Sequence, residues 1–131
     1  MSIEELTRPQ PLANVVDRNV RLALVISNLS QRQLAHHLAL APTAITRRGR
    51  QNEWSVGELE AIAELLGTAP CLYFAKDPDT LTTLFAAKRL ALVQRYQDNP
   101  NPNRETLRQW LAESYSDAYA QLILPIGQTQ P

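Results

Sequence analysis

The sequence predicts a small all-α protein, and three observations point to that class. The 131-residue chain has only four glycines, and its nine prolines are spaced as if they separate helices joined by short connections. Apolar residues recur every three or four positions, whereas strand-type alternation never persists. Hydrophobic residues make up 44% of the chain and charged residues 20%, which is enough for one packed globular domain.

The first two helices are predicted before residue 40. A helix near residues 14–27 places apolar side chains at steps of about four, and the Asn-Leu-Ser run after it ends that helix. Ser30 and Gln33 have the spacing of a capping box, in which side chains satisfy the free amides at a helix start. The second helix therefore follows Ser30 and buries Leu34 and Leu38.

Two further helices are expected between Pro42 and Gly67. Pro42 suits the first turn of a third helix, because its missing N–H costs nothing there. We expect that helix to run to about Arg48, with Gly49 as a left-handed stop. A second capping box begins at Ser55 and opens a fourth helix that stops at Gly67.

A long helix and one last helix are predicted after a polar connection at residues 76–79. The long helix is amphipathic and covers about residues 80–97. The Asn-Pro run at residues 98–103 cannot continue it. Asn103 can cap the last helix, which carries apolar positions as far as Leu122.

Positive charge is concentrated in one part of the chain, although the formal net charge is zero. Between Arg18 and Arg50 there are six arginines and no Asp or Glu, so the remainder holds all 13 acidic residues and seven basic ones. Local potential is screened over about 10 Å, so this asymmetry matters more to a phosphate backbone than the total charge does. The pattern fits a nucleic-acid-facing surface or, equally, a solvated basic face.

Several kinds of site lack support in the sequence. No Gly-rich phosphate loop, nucleophile elbow or metal-binding set occurs, so we expect no catalytic activity, metal or cofactor. His36 and His37 are adjacent and diverge by about 100° on a helix, so they cannot clamp one metal ion. Cys71 has no disulfide partner and is expected to be a small core hydrophobe. With no membrane-length apolar run and an acidic N-terminus, the sequence predicts a cytoplasmic protein.

The most informative unit runs from Leu29 to Arg47. Two short helices crossing at a tight turn need a small residue where they approach, which Ala35 provides. They also need apolar anchors at the crossing, which are Leu34, Leu38, Leu40 and Ile45. This arrangement leaves the start of the second of these helices free to enter a major groove about 12 Å wide.

This unit resembles the helix-turn-helix of the lambda repressor/Cro type, also called the XRE-like family. The resemblance covers about residues 15–74 and implies a five-helix lambda repressor-like DNA-binding domain, extended here by a C-terminal helical pair. The matching residues are Leu29-Ser30-Gln31, Leu34-Ala35, Leu38, Leu40, Ile45-Thr46-Arg47, Ser55, Leu59 through Ala63, and Leu66-Gly67. The expected divisions are a flexible N-terminal arm (1–13), the helix-turn-helix domain (14–75) and a C-terminal extension with a frayed tail (76–131).

Three departures from the family pattern fall in the helix-turn-helix. Ala39 replaces the usual turn glycine, at a cost of about 1 kcal/mol in a left-handed conformation. Ala41 replaces the usual polar cap, although Pro42 is pre-set for the first helical turn. Arg48-Gly49 replaces an aromatic-acidic pair, which shortens the helix and makes its exit more basic.

The resemblance also implies which residues contact DNA. Arg47 is the best candidate for a bidentate contact to guanine, worth about 1–3 kcal/mol of discrimination. Gln31 matches the position that contacts phosphate and braces the reading helix. The implied base readers are Pro42, Thr43, Thr46 and Arg47, and the implied backbone contacts are Gln31, Arg32, Arg48, Arg50, Gln51 and Asn52. Two other interpretations stay open: solvated arginines at a helix end, or an Arg-Gly-Arg hook for a narrow minor groove.

The C-terminal helices carry apolar residues on more than one side, which indicates two neighbours. A homodimer is the economical expectation, because most proteins of this type read two half-sites. The expected interface residues are Leu84, Phe85, Leu92, Trp110, Tyr115, Tyr119 and Leu122. The competing expectation is further DNA contacts through Lys88, Arg89, Arg95, Arg104 and Arg108.

The sequence thus predicts a sequence-specific regulator of double-stranded DNA, most simply a repressor that blocks a promoter. The compact format also fits a phage repressor, by analogy alone. No small-molecule ligand is expected, because no ligand-binding domain is recognisable. The alternative is a protein-interaction module, such as an antitoxin of the same fold whose C-terminal helices hold a partner.

Overall fold

The computed structural model describes residues 12–51 and 53–124, with the backbone alone at 12, 13, 50 and 51. Within these ranges the chain forms seven α-helices, one 3-10 helix and no strand, which confirms the predicted all-α class. None of the described helices is both long and apolar enough for a membrane span. The elements are α1 (Leu12–Ile26), α2 (Gln31–His37), α3 (Pro42–Gln51), α4 (Val56–Leu66), the 3-10 helix (Pro70–Phe74), α5 (Pro78–Asp98), α6 (Arg104–Ser114) and α7 (Asp117–Ile123).

Both predicted capping boxes are present. The Ser30 hydroxyl accepts the Gln33 N–H at 3.0 Å, and the Gln33 side-chain oxygen accepts the Ser30 N–H at 2.8 Å. Ser55 and Glu58 make the same reciprocal pair at the start of α4, at 3.1 and 2.9 Å. These bonds satisfy amides that have no partner inside the helix, so each helix starts where the sequence predicted.

Among the described residues, two that are not glycine have left-handed backbone conformations, and both follow the end of a helix. Asn28 has φ 54° where the chain leaves α1, and Ala39 has φ 56° in the turn between α2 and α3. Ala39 therefore stands in the conformation for which glycine is preferred, as predicted, at a cost of about 1 kcal/mol. Gly67, with φ 66°, ends α4 in the same conformation without that cost.

Helix α3 runs past its predicted end. Gly49 was expected to stop the helix in a left-handed conformation, but it lies within α3, which continues to Gln51. Its missing side chain serves a close approach instead. A Cβ built there would lie 1.9 Å from a guanidinium nitrogen of Arg21 on α1. The glycine therefore makes room for the guanidinium end of Arg21, and the prediction of a stop was wrong.

One hydrophobic core joins the early helices to the later ones. Leu34, Ile45 and Leu66 are buried in it, and so are Tyr73 and Phe85. A buried amide also joins distant parts of the chain: Asn19 Nδ2 on α1 donates to the carbonyls of Tyr73 and Ala75, at 2.9 and 2.8 Å. The 3-10 helix and its C-cap residue Ala75 are thereby fastened to α1.

The last predicted helix is two helices. Helix α6 ends at Ser114, and α7 begins with Ser116 as its cap. The Ser116 hydroxyl accepts the Tyr119 N–H at 3.0 Å and donates to the Leu65 carbonyl of α4 at 2.6 Å. Because this serine binds a carbonyl in another helix, the chain breaks there and folds back onto the core. The C-terminal part is thus three helices rather than a pair.

Two residues expected at a dimer interface lie in the core of the subunit. Phe85 is 0% exposed and Tyr119 is 5% exposed, so neither is available to a second copy. Tyr115 stacks between them, with ring centroids 6.5 Å from Phe85 and 4.1 Å from Tyr119. Leu122 also packs against the core. The other expected interface residues, Leu84, Leu92 and Trp110, are half-buried.

Cys71 and the beginning of α1 differ from their predictions. Cys71 is exposed on the 3-10 helix, so the prediction of a core cysteine was wrong; its neighbour Tyr73 takes the buried position. Helix α1 begins at Leu12, inside the arm predicted for residues 1–13. The remainder of that arm and the predicted frayed tail after Leu124 lie outside the described residues.

Candidate nucleic-acid interface

Helix α3 separates its side chains into an inner and an outer face. Ala44 and Ile45 are 8% and 2% exposed and anchor the helix in the core. The four residues expected to read bases lie on the opposite side: Pro42, Thr43 and Arg47 are exposed and Thr46 is half-buried. Positions i, i+1, i+4 and i+5 share one face of a helix, so these side chains form one continuous surface.

A short turn and a side-chain hydrogen bond join α2 to α3. The Leu40 N–H donates to the Ala35 carbonyl at 2.8 Å, which closes the turn after α2. Ala35 is 1% exposed, so a small residue does lie at the approach of the two helices. The Thr46 hydroxyl donates to the Gln31 side-chain oxygen at 3.4 Å. Gln31 and the outer face of α3 therefore belong to one surface.

Two arginines on this surface have no partner of their own. Arg32 at the start of α2 and Arg47 on α3 are exposed, and no hydrogen bond or ion pair occupies either within the described residues. An unpaired guanidinium keeps all five donors for an external anion or a base edge. Among the arginine side chains of the helix pair that the structure describes, these two are free for an external ligand.

Arg48 has a partner inside the molecule. Its Nε lies 3.1 Å from a carboxylate oxygen of Glu58, and the two side chains are 22% and 15% exposed. Glu58 also belongs to the capping box of α4, so the ion pair joins the end of α3 to the start of α4. The structure therefore gives Arg48 an internal role, where the sequence predicted a contact to the DNA backbone.

The environment of Glu58 favours its ionised form. Burial alone would raise the pKa of this carboxyl group. The Ser55 N–H and hydroxyl and the Arg48 guanidinium together outweigh that effect, and they lower the pKa below its ordinary value. The carboxylate consequently keeps Arg48 paired across the neutral range.

A polar cluster lies behind the second half of α3, and the sequence alone did not indicate it. Asp17 on α1 accepts from Arg21 Nε at 2.9 Å and from the Trp54 indole N–H at 3.1 Å. Arg21 in turn lies against Gly49, and its side chain is 43% exposed. The Asp-x-x-x-Arg spacing is the only signal of this cluster in the sequence. Arg21 thus adds a half-exposed cation beside the end of α3.

Arg18 is a further arginine of this region, and Arg50, Gln51 and Asn52 are the remaining predicted contacts to the DNA backbone. Arg18 donates to the carbonyls of Ala75 and Lys76, at 3.2 and 2.8 Å, and so serves the fold. The side chains of Arg50 and Gln51, and all of Asn52, lie outside the described part of the chain. Their predicted contacts to the DNA backbone therefore stay predictions.

The basic residues of the C-terminal helices bind their own chain. Lys88 donates to the Ser114 carbonyl and lies 5.3 Å from the centre of the Tyr115 ring, and burial lowers its pKa. The other partners are Ile26 for Arg89, Glu113 for Arg95, and both Glu105 and Leu124 for Arg108. Arg104 also takes part in an interaction.

No metal centre accompanies this surface: within residues 12–51 and 53–124, no three His, Cys, Asp or Glu side chains are placed to hold an ion. Comparisons with protein-family models, with curated proteins and with solved structures found no match for this chain. The inference of function therefore depends on the geometry of α2 and α3. Helix α3 presents hydroxyls, a proline and an unpaired arginine on its outer face. Beside it, α2 presents Gln31 and Arg32.

Proposed function

We propose that this chain is a sequence-specific regulator of double-stranded DNA with a lambda repressor/Cro-type helix-turn-helix formed by α2 and α3. The observation that carries the proposal is the outer face of α3. There Pro42, Thr43, Thr46 and Arg47 lie together, while Ala44 and Ile45 hold the opposite face in the core. A helix anchored on one side and polar on the other can enter a major groove without disturbing the core.

The chemistry of this face suits base reading. Arg47 can donate two parallel hydrogen bonds to guanine, which is the commonest specific contact in the major groove. The hydroxyls and methyl groups of Thr43 and Thr46 suit base edges and thymine methyls, whereas Pro42 has no N–H and can only pack. The face thus combines one strong polar reader with three smaller shape-dependent contacts.

Phosphate contacts would come from the start of α2. Gln31 and Arg32 are exposed there, and Gln31 already contacts Thr46 on the reading helix. The positive end of the α3 dipole adds a favourable potential for phosphate at its first turn. Such contacts fix register without carrying sequence information. Bound at a promoter, the protein would act most simply as a repressor that excludes polymerase. A repressor encoded by a phage would act in the same way.

The test begins with selection of bound fragments from genomic DNA, followed by anisotropy titrations at several salt concentrations. Arg47→Ala should reduce discrimination among selected sites by about 1–3 kcal/mol, because the guanine contact is lost. Arg32→Ala is the matched control: it should weaken all sites alike and lower the salt slope by about one. If neither substitution alters binding, the proposed reading surface is wrong.

A second candidate, a protein-interaction module, is favoured by the outer face of α5. Leu90, Val93 and Tyr96 are 58%, 45% and 51% exposed there, which is unusual for large apolar side chains on one helix. The same face could join two copies in a homodimer, in place of the buried Phe85 and Tyr119.

Light scattering of the purified chain separates these uses of α5. A homodimer through this face predicts a dimer at micromolar concentration, and the double substitution Leu90→Ser with Val93→Ser should yield monomers. A wild-type monomer that binds DNA only as a monomer would contradict the dimer. A monomer without selected DNA sites would favour the interaction module, as an antitoxin-like protein.

A further inference from the structure

One side-chain amide serves two helices at the start of α2. The oxygen of Gln33 accepts the Ser30 N–H at 2.8 Å and completes the capping box of α2. Its nitrogen donates to the Leu122 carbonyl of α7 at 3.2 Å. Leu122 is in the last turn of α7, where carbonyls have no partner inside the helix. Gln33 therefore closes the beginning of one helix and the end of another.

Helix α7 also holds the other side of the same junction. The Tyr119 hydroxyl donates to the carbonyl of Ser27, where α1 ends. The four residues from Ser27 to Ser30 thus have a contact with α7 at each end, through Tyr119 and through Gln33. Arg108 of α6 binds the Leu124 carbonyl at 3.1 Å, which secures α7 in turn. A chain of contacts leads from α6 through α7 to the entry of α2.

The position of α2 depends on such end contacts because the helix is short. Seven residues form less than two turns, and an isolated helix of that length is not stable in water. Leu34 and Ala35 anchor its middle, at 0% and 1% exposed. Its first turn carries Gln31, the residue that contacts Thr46 on α3. A shift of that turn would move Gln31 relative to the outer face of α3.

We propose that Gln33 is a positioning residue: its amide couples α7 to the first turn of α2 and thereby sets the DNA-facing surface of α2 and α3. The DNA part of this inference rests on the proposed function. The coupling between α7 and α2 can be measured in the free protein without DNA. Gln33 itself need not contact the nucleic acid.

Gln33→Glu isolates the coupling in the free protein. The carboxylate keeps an acceptor for the Ser30 N–H, since Glu also completes a capping box, but it loses the donor to Leu122. We expect hydrogen-exchange protection to fall about fivefold at the amide of Leu34, which bonds the Ser30 carbonyl in the first turn, as suits the loss of one hydrogen bond. Protection of the Ile62 amide in α4 should not change. Gln94→Glu, on the exposed part of α5, is the matched control and should leave both regions unchanged.

Tyr119→Phe tests the consequence for DNA without adding charge. It removes the donor to Ser27 and keeps the ring in its stack. We expect binding to selected sites to weaken by up to about fivefold, because α2 must regain its position on binding, with the salt slope unchanged because no phosphate contact is lost. Tyr73→Phe removes a tyrosine hydroxyl that bonds Thr68 at 3.0 Å elsewhere in the core; it is the control and should bind as wild type does.

The outcomes distinguish this inference from the proposed function. Unchanged protection at Leu34 in Gln33→Glu overturns the coupling, whatever the protein binds. An equal fall at Ile62 also overturns it, since that result means a general loss of stability. If protection changes in Gln33→Glu but DNA affinity does not change in Tyr119→Phe, the coupling exists and the positioning role is overturned. If the wild type selects no DNA sites, the proposed function fails and the exchange data alone decide the coupling.

Discussion

Two of the three described arginine side chains of the helix pair α2–α3 differ in use from the basic side chains of the C-terminal helices α5–α7; the third, Arg48, is paired with Glu58. On the helix pair, Arg32 and Arg47 are exposed and have no partner among the described residues. In the C-terminal helices, Lys88 and Arg108 bind carbonyls of their own chain, and Arg89 and Arg95 are likewise engaged. In the sequence all of these are equal charges. The structure separates the cations that an external anion can reach freely from those that fasten the fold.

This contrast changes the weight of the two DNA-contact hypotheses. A guanidinium that already binds a group of its own chain must give up that bond before it can bind a phosphate, and a typical hydrogen bond contributes about 0.5–1.5 kcal/mol. Arg32 and Arg47 bear no such cost. The contrast therefore favours DNA contacts from the helix pair over contacts from the C-terminal half. Substitutions in either region can test it.

The largest expected effect concerns the structural role of the C-terminal helices. Phe85→Ala removes a fully buried ring that packs with Tyr115, and we expect a loss of about 3–5 kcal/mol in the free energy of unfolding. Urea denaturation followed by circular dichroism measures it. Tyr96→Ala on the exposed side of the same helix is the control and should change stability by less than about 0.5 kcal/mol. Equal small effects would mean that α5 is a detachable extension.

The next effect compares the two classes of arginine directly. Arg108→Ala leaves the Leu124 carbonyl without its side-chain donor, so we expect a loss of about 1–2 kcal/mol in the free energy of unfolding. Its DNA affinity and salt slope, measured at a temperature where the variant is folded, should equal those of wild type. Arg47→Ala should leave the free energy of unfolding unchanged and should alter the preference among DNA sites. A fall in the salt slope with Arg108→Ala would contradict the division.

A smaller effect is expected at the turn between α2 and α3. Ala39→Gly relieves the left-handed strain of alanine but adds freedom to the unfolded chain, so the net gain should be about 0.5 kcal/mol. Ala87→Gly, at an exposed position inside α5 and without a left-handed φ, is the control and should lose about 1 kcal/mol. Thermal denaturation compares the two. A loss in both variants would mean that Ala39 is not strained.

The smallest effect is a pH dependence at the junction of α3 and α4. The folded-state pKa of Glu58 is lowered, so the carboxylate contributes stability above its unfolded pKa and loses that contribution as pH falls through the folded value. Glu58→Gln removes the charge but keeps the capping box, because a glutamine side chain can also accept the Ser55 N–H. We expect this variant to lower stability by about 0.5 kcal/mol at pH 7, with a shallower decline below about pH 5.

Chemical denaturation between about pH 3 and pH 7 measures this difference, since the carboxyl groups titrate in that range. Glu60→Gln removes the same formal charge from an exposed position on α4 and is the control. If both variants change the pH profile equally, the Arg48 ion pair contributes nothing particular.

Local rules predicted the parts of the fold that depend on neighbours in sequence. The capping boxes at Ser30 and Ser55 depend on residues three positions apart. The left-handed conformation of Ala39 follows from its place in a tight turn. The outer face of α3 follows from helical periodicity once Ala44 and Ile45 are assigned to the core. Each of these features can be predicted without knowing which helices meet.

The features that could not be predicted depend on contacts between distant residues. Gly49 has the pattern of a helix stop until Arg21 is known to lie against it. Ser116 has the pattern of one more helical residue until the Leu65 carbonyl is found beside its hydroxyl. Phe85 and Tyr119 lie on apolar faces that fit a dimer or a core equally well, and tertiary packing alone decides between them.

The contacts of α7 also determine when the fold can be completed while the chain is being synthesised. Tyr119 meets a partner 92 residues earlier in the chain, and Gln33 meets one 89 residues later. Contacts over such separations close late, because a long loop must first be ordered. On the ribosome, α7 emerges after every other described helix, so the entry of α2 is fastened only then. Before α7 has emerged, a nascent chain can already expose Arg47, but Arg47 is not yet held in its final position.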